Sequence, residues 1–299
     1  MTQQAINLGT LSDGSDGDTN KVAWGKANDN FSELYGLAPY DTGNLLINAA
    51  GAINQRGYVS GTATTAANQY TVDRWKVLTL GQNLAWTMAG GIATFTAPAG
   101  GVAQVVEGSS IQDGTYVLSW EGTATATVGG AAVTNGTPFT LSAGVDTSVV
   151  FSGGTFSKPQ LRMGSAVKAF AIRPFAVEVQ HCKRYFQKSF ALGDTPADNT
   201  EINFVDMKGY GANSVLGLVN FACLMRAAPT ITYYSATAGA SPTAGQWQAY
   251  RSAYGWVSTT GISTFHNSES QFSYIASLAS AADMQSYYAQ GNWTADAEL

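Results

Sequence analysis

Tyr116-Val117-Leu118-Ser119-Trp120-Glu121-Gly122-Thr123-Ala124-Thr125-Ala126-Thr127-Val128-Gly129-Gly130 decides the fold class. Its first five residues are a run of strand length, and Thr123 to Val128 alternate small polar with apolar side chains. The Gly-Gly pair then supplies a turn. Outward from this stretch the same unit recurs: Pro138 to Leu141 and Thr147 to Phe151 read as short strands, with Asn135-Gly136 and Gly153-Gly154 as turn signals. Regular short strands with Gly-rich turns predict a jelly-roll β-sandwich over residues 44–168.

From Phe175 onward a second unit begins. Phe175, Val179 and Cys182 keep helical spacing, which predicts a turn or two of helix before a strand over Arg184–Phe190. Val215, Gly217, Val219, Phe221, Cys223 and Met225 fall on one face of a strand. Leu216, Leu218, Ala222 and Leu224 make the other face apolar as well, which suits a strand at the centre of a sandwich or against a neighbouring subunit. Thr230–Ser235, Ser252–Thr260, Gln271–Ala276 and Met284–Tyr288 read as further strands. No repeat of fixed period appears, which argues against a solenoid. Residues 175–299 are therefore expected to form a second β-sandwich, joined to the first by a junction at 169–174.

One stretch reads as an amphipathic helix, Thr19–Gly36. Trp24, Ala27, Phe31 and Leu34 follow one another at spacings of three, four and three, a narrow apolar stripe. Such a seam at the end of a β protein is most simply buried against copies of itself. This predicts a parallel oligomer, with residues 1–36 holding the copies in register and 37–43 as a linker. Two heptads are too few to hold three chains alone, so apolar contact between the β bodies is required as well. Ahead of the helix, Asp13-Gly14-Ser15-Asp16-Gly17-Asp18 supplies turn glycines and carboxylates, with Asp18 or Thr19 as N-cap. A calcium loop is the rival reading, but EF-hand spacing and its terminal Glu are missing, so no metal is expected. Gly36 and Pro39 end the helix.

Composition narrows the function. Charged residues are 12% of the chain, against about a quarter in an average protein, while Tyr, Phe and Trp number 14, 13 and 7. This suits a rigid β protein and not a disordered tail. A net charge of −5 with no basic stripe argues against nucleic acid. Cys182 and Cys223 make neither a disulfide framework nor a metal pair; a single bridge is possible, and buried free thiols are expected in a reducing cytoplasm. The start, MTQQAINLG, lacks the regions of a signal peptide, and Val215–Met225, the longest apolar run, is too short to span a bilayer. The expectation is a soluble chain whose extracellular role, if any, follows cell lysis. G-x-S-x-G, H-E-x-x-H and P-loop motifs are all missing, so no enzyme and no cofactor are expected. His181 and His266 read as surface or capping residues. Asp194, Asp198, Glu201 and Asp206 are candidates for a glycosidase pair, but Thr195, Pro196, Asn199 and Thr200 read as a solvated loop.

In three places the chain resembles bacteriophage tail-fibre and receptor-binding proteins. The first is Ile6-Asn7-Leu8-Gly9-Thr10, Asp13-Gly14, Gly17-Asp18, Ala23-Trp24, Lys26, Asn28, Asn30-Phe31 and Glu33-Leu34-Tyr35, similar to the segment that joins such fibres to the virion. Here Asp16 is an extra residue in the glycine turn. The second is Asn44-Leu45-Leu46-Ile47-Asn48, Gln55-Arg56-Gly57 and Tyr70-Thr71-Val72-Asp73-Arg74-Trp75, which resembles the opening strands of a carbohydrate-binding-like jelly-roll. The third is Pro159-Gln160-Leu161, Gly164, Arg173-Pro174, Glu178, Cys182 and Arg184-Tyr185-Phe186-Gln187-Lys188-Ser189, continued by Met225-Arg226-Ala227-Ala228-Pro229-Thr230. This is similar to the last strand of that domain and its junction with a tip domain. Arg162 stands where the family usually has an acid. The resemblance implies a homotrimer on a virion tail, assembled in the host cytoplasm. It would contact a tail or baseplate protein at its N-terminus and bind host polysaccharide or lipopolysaccharide, without nucleic acid or membrane insertion. The alternatives are a tailspike depolymerase and a ligand-free structural connector.

Candidate binding residues are Trp247, Tyr250, Arg251, Tyr254 and Trp256, with Gln246 and Gln248 between them. Sugars need flat aromatic faces for their C–H surface and amides or charges for their hydroxyls. If the segment is one strand, its even-numbered positions from 246 to 256 share a face and the four rings lie together. The alternative is that the rings fill a core or an interface. Of Tyr233-Tyr234 and Tyr287-Tyr288, one ring of each pair is expected outside. Asp73-Arg74-Trp75 reads as a core Trp beside an Asp–Arg pair that ties two strands, in preference to a sugar platform. Arg173 and Glu178 are a second possible pair, across the junction.

Overall fold

The computed structural model describes residues 4–11, 13–36, 43–200, 203–236, 244–251, 254–279 and 281–299, with the backbone alone over 32–36. The chain divides into two compact units, residues 1–42 with 169–173, and residues 43–168 with 174–299.

In the smaller unit, helix α1 (Asn20–Gly36) forms as its spacing predicts. The carbonyl of Thr19 accepts the amide of Ala23 at 2.9 Å, which makes Thr19 the N-cap. Asp18 instead accepts the amide of Asn7 at 2.8 Å and the ammonium of Lys26 at 2.7 Å, tying the leading segment to the helix. Asp16 organises the turn. Its carboxylate accepts the hydroxyl and amide of Thr10 and the amide of Leu11. Gly9 sits at φ +80°, and a Cβ there would lie 2.3 Å from Asp16 Oδ1, so only glycine lets the carboxylate in. The turn's carboxylates are thus occupied by the chain's own donors. No group of three or more metal-ligating side chains occurs among the described residues. Of the predicted seam, Trp24 is 70% and Phe31 55% exposed, Ala27 is half-buried, and the side chain of Leu34 lies outside the described residues, as does Pro39.

The larger unit holds two β-sandwiches. In the first, β1 (Gln69–Tyr70), β2 (Lys76–Val77), β3 (Ala85–Ala89), β4 (Ile92–Thr96), β5 (Val102–Val106) and β6 (Gly114–Gly122) are followed by β7 (Thr125–Val128), β8 (Ala131–Val133), β9 (Pro138–Leu141), β10 (Thr147–Ser152) and β11 (Thr155–Met163). They make two antiparallel sheets, ordered β1-β2-β5-β10-β7-β8 and β3-β4-β11-β6-β9. Residues 116–130 supply β6 and β7 as read, but the two strands belong to different sheets. The chain crosses between layers at Gly122, where a Cβ would lie 2.2 Å from the carbonyl of Thr155. In β10, Thr147, Val149 and Phe151 are buried while their neighbours are half-buried, the period-2 pattern of a strand with one core face. Gly129 and Gly130, at φ +57° and +84°, meet the need of a two-residue hairpin turn for positive φ. The core is aromatic: Phe151 and Phe156 stack at 4.3 Å, and Trp75 lies 5.4 Å from Phe156. Residues 44–48, expected as an opening strand, form an extended lead into a turn. Their amides are committed outside any ladder: Leu45 donates to the carbonyl of Leu161, Leu46 to Oδ1 of Asn44, Ile47 to Oε1 of Gln104 and Asn48 to the carboxylate of Glu178.

In the second sandwich, α2 (Phe175–Lys183) precedes β12 (Phe186–Lys188), β13 (Phe204–Gly209), β14 (Ser214–Asn220), β15 (Thr230–Tyr234) and β16 (Gln248–Arg251). β17 (Gly255–Ser258), β18 (Thr260–Asn267), β19 (Gln271–Ser277), β20 (Ser286–Gln290) and β21 (Asn292–Asp296) complete it. A three-stranded sheet, β12-β21-β15, is joined by a seven-stranded one, β17-β16-β20-β13-β14-β19-β18. The core holds Met207, Val215, Trp247, Phe272, Tyr274 and Trp293. The molecule is mainly β, with a short N-terminal helix, a jelly-roll sandwich and a second sandwich. No described helix is long and apolar enough to cross a membrane.

Several local expectations change. Within the predicted strand over 252–260, the described residues form β17 from Gly255 to Ser258, which pairs back on β16, and Thr260 begins β18. The long strand from Val215 ends at Asn220, because Phe221 leaves the ladder to pack against the core, where Met225 is buried. On its opposite face Leu216 is half-buried and Leu218 is 48% exposed. Phe175 is 57% exposed, while Val179 and Cys182 of the same helix are buried. Cys182 and Cys223 are free thiols; Cys182 is buried and Cys223 half-buried. Tyr233 and Tyr234 are both half-buried, against the expected alternation, since Tyr233 joins the core and Tyr234 meets Phe190 edge-on at 5.4 Å.

Candidate functional site

Residues around Asn48, Gln55, Asp73 and Arg184 build a joint between the two sandwiches. Asn48 donates to the carbonyls of Ile53 and Asp73, and the indole of Trp75 donates to the carbonyl of Asn48 at 3.1 Å. Asp73 accepts both the backbone and side-chain amides of Gln55, which also donates to the carbonyl of Phe186 across the joint. Arg74 pairs with Glu298 and lies 3.4 Å over the ring of Tyr185. Arg56 pairs with Asp296 at 2.8 Å and stacks 3.9 Å over Phe186. Arg184 grips Glu107 through two nitrogens at 3.0 and 2.9 Å. Glu178 accepts the amide of Asn48. Trp75 is therefore core, as expected. The expected Asp73–Arg74 pair is replaced by one partner each: Asp73 holds its own sandwich and Arg74 reaches into the other. Burial pushes the phenol of Tyr185 up, so it stays a neutral stacking surface for Arg74.

The open chemistry lies on the outer face of the seven-stranded sheet. β16 and β17 pair as a hairpin with Tyr250 opposite Trp256 and Arg251 opposite Gly255. Gly255, at φ +71°, allows the tight return. β16 also pairs with β20, which sets Tyr250 opposite Tyr288. Trp256, Tyr250 and Tyr288 thus form one cross-strand row. Tyr250 is 42%, Tyr254 70% and Tyr288 77% exposed. At the turn, the guanidinium of Arg251 stands 4.6 Å from the centre of the Tyr254 ring and donates through Nη1 to the carbonyl of Ala279 at 2.7 Å. Tyr250, Arg251, Tyr254 and Tyr288, with Gln285, Ser286 and Tyr287, line a cleft of about 330 Å³. Tyr287 is buried, and its hydroxyl accepts the amide of Ala282 at 2.7 Å and donates to Oε1 of Gln285 at 3.3 Å, which orients that amide.

The predicted binding set is therefore divided. Tyr250, Arg251 and Tyr254 come together in the cleft, and Trp256 flanks it, half-buried, with its ring 5.5 Å from that of Tyr250. Trp247 does not belong. It is fully buried, donates to the carbonyl of Asn292 at 3.0 Å and meets Tyr274 edge-on at 4.6 Å. Its side chain has the opposite parity from Tyr250 and points into the core. Gln248 is buried too, and accepts from Gln290 at 3.0 Å. Gln285, Ser286 and Tyr288 were not in the predicted set. The alternation at Tyr287-Tyr288 correctly places one ring outside, but no local signal pairs β20 with β16.

No protein-family profile matches the chain, and no curated protein matches its sequence. Among solved structures it is similar to a Paenibacillus sp. cycloisomaltooligosaccharide glucanotransferase complexed with cycloisomaltoheptaose. The identity is 10% and the TM-score 0.20, over 81% of this chain and 46% of that one. The chain thus spans under half the length of that protein, and a likeness so slight carries no argument about this one.

The acidic residues weighed for hydrolysis lie apart in role. Asp198 accepts the amides of Ser235 and Gly245 at 2.7 and 2.8 Å, and these bonds hold its carboxyl below the ordinary range despite desolvation. Asp206 lies in β13, not in a loop, and Asp194 is exposed; Glu201 lies outside the described residues. His181 and His266 are both exposed.

Proposed function

We propose that the protein is a phage tail-fibre receptor-binding protein that attaches the virion to host cell-surface glycan as a homotrimer. The observation that carries this reading is the tyrosine-lined cleft, where exposed rings, a guanidinium and an oriented amide converge on an open sheet face. Flat rings suit the C–H faces of sugars, and the polar groups suit their hydroxyls. Threefold display multiplies a weak single site by avidity. The exposed ring of Trp24 on α1, and Leu218 on the outer face of β14, supply apolar surface for contact between copies.

The reading is tested by adsorption of the purified protein to host cells and by a surface-polysaccharide array. Binding lost on Tyr254→Ala, with the oligomer and melting temperature unchanged, is the expected result. Absence of binding to every cell and polysaccharide tried favours the structural connector. Shortening of polysaccharide during incubation favours a depolymerase.

A further inference from the structure

We infer that the glycan site extends past the tyrosine cleft onto β13, where a second recess takes the next sugar of the chain. The ligand is then a run of at least two adjacent sugars of a surface polysaccharide, not a single one. This deepens the glycan reading above and rests on it. The deciding juxtaposition is Tyr288 standing between two hollows. Its ring, 77% exposed, lines the cleft on the β16 side. With Phe204 and Asp206 it also lines a recess of about 380 Å³ on the β13 side.

Strand parity and register build this second recess. In β13, Phe204, Asp206 and Lys208 are exposed, while Met207 and Gly209 are buried. Asp206 lies opposite Tyr288, and Tyr288 opposite Tyr250, so the three side chains form one row across β13, β20 and β16. Adjacent strands lie about 4.8 Å apart, close to the rise of one linked sugar ring, so a polysaccharide crossing the strands meets a new strand with each unit. Phe204, 69% exposed, offers a flat apolar face as Tyr288 does. Among the described residues the Asp206 carboxylate has no hydrogen bond or ion pair. The backbone beneath it is pinned from the core side, where its carbonyl accepts the hydroxyl of Tyr274. A carboxylate accepts two hydroxyl donors, the pattern that neighbouring hydroxyls of a sugar present. These groups stand on paired strands, so little ordering is lost on binding. Beyond Asp206 lies Leu218, offered above for contact between copies, which bounds the site on that side.

The test uses surface polysaccharide from a bacterium to which the full-length protein adsorbs, cut by partial acid hydrolysis and separated by length. Binding of each fragment is measured by titration calorimetry. Affinity is expected to rise roughly tenfold or more from one sugar to two or three. Phe204→Ala and Asp206→Asn, both at exposed positions, should each cost the longer fragments several-fold and leave the single sugar unchanged. Tyr250→Ala should weaken both. The length series on unmutated protein keeps the proposal falsifiable if a variant fails to fold. Equal affinity for one sugar and for longer fragments overturns the extended site and leaves the glycan reading standing. So does full affinity for every fragment in both β13 variants. A lower molar mass of Phe204→Ala in light scattering, with fragment binding unchanged, would show the recess covered by a second copy and also overturns it. Adsorption to no bacterium and binding of no fragment overturn both.

Discussion

Tyr250 and Trp256 meet edge to face across the β16–β17 hairpin, with ring centroids 5.5 Å apart and planes at 68°. The contact lies on the outer face of the sheet, where Tyr250 remains 42% exposed. A cross-strand pair of this kind contributes about 1 kcal/mol or less. Tyr250→Ala should therefore move the denaturation midpoint little, while, on the proposed glycan-binding reading, adsorption to host cells falls. A large drop in stability with unchanged adsorption would make the ring structural.

Trp247 predicts the reverse. Its indole is fully buried and lies against Gly291, where an added Cβ would stand 2.1 Å from the ring. Tyr274 at 4.6 Å and Tyr233 at 5.4 Å leave the ring nowhere to shift. Trp247→Ala should cost about 3–5 kcal/mol in urea unfolding. Gly291→Ala should also destabilise, although it adds a single methyl. If either variant kept wild-type stability, the packing described for this core would be wrong.

These two tryptophans show how far the chain could be read in advance. The strands from Tyr116 to Phe151 were legible because apolar alternation and Gly-Gly turns are local signals. So was α1, whose stripe needs only its own spacing. Trp247 and Trp256 were grouped because ten residues of aromatic-rich sequence look alike. The parity of 247, and the pairing of β17 back on β16, put one ring in the core and the other outside. Tyr288 joins Tyr250 through a register 38 residues distant, which no local pattern encodes. The stretch around Arg184 was legible as a junction, but the partners Gln55, Glu298 and Glu107 that Asp73, Arg74 and Arg184 meet there were not, since each is distant in sequence.

Asp16 gives a pH prediction. The hydroxyl of Thr10, with the amides of Leu11 and Thr10, holds its carboxyl at about 2, down from 3.8. An acid depressed on folding favours the folded turn when ionised. That contribution is complete above pH 3.8 and is lost as pH falls toward 2. The amide resonances of Thr10 and Leu11 should titrate with a midpoint near the lower value. A midpoint at the ordinary carboxylate value would show that the bonds do not persist in solution. Asp16→Asn should abolish the titration and loosen both amides at neutral pH.

The helix bears on assembly. Trp24 sits mid-helix with 70% of its surface exposed, and its stripe continues through Phe31, 55% exposed. Fully burying a large apolar side chain is worth about 1.5–3 kcal/mol, so three copies packed together gain several times that from this position. Two heptads of seam still fall short of a stable coiled coil without help from the β bodies. If three copies assemble as proposed, Trp24→Gln should weaken the assembly without abolishing it, with a concentration-dependent shift to smaller species in multi-angle light scattering. Leu218→Asp, on the exposed face of β14, should add to that shift if the bodies meet there. A wild-type chain that is monomeric at every concentration would remove the partner that the stripe requires, and with it the avidity on which a weak single cleft depends.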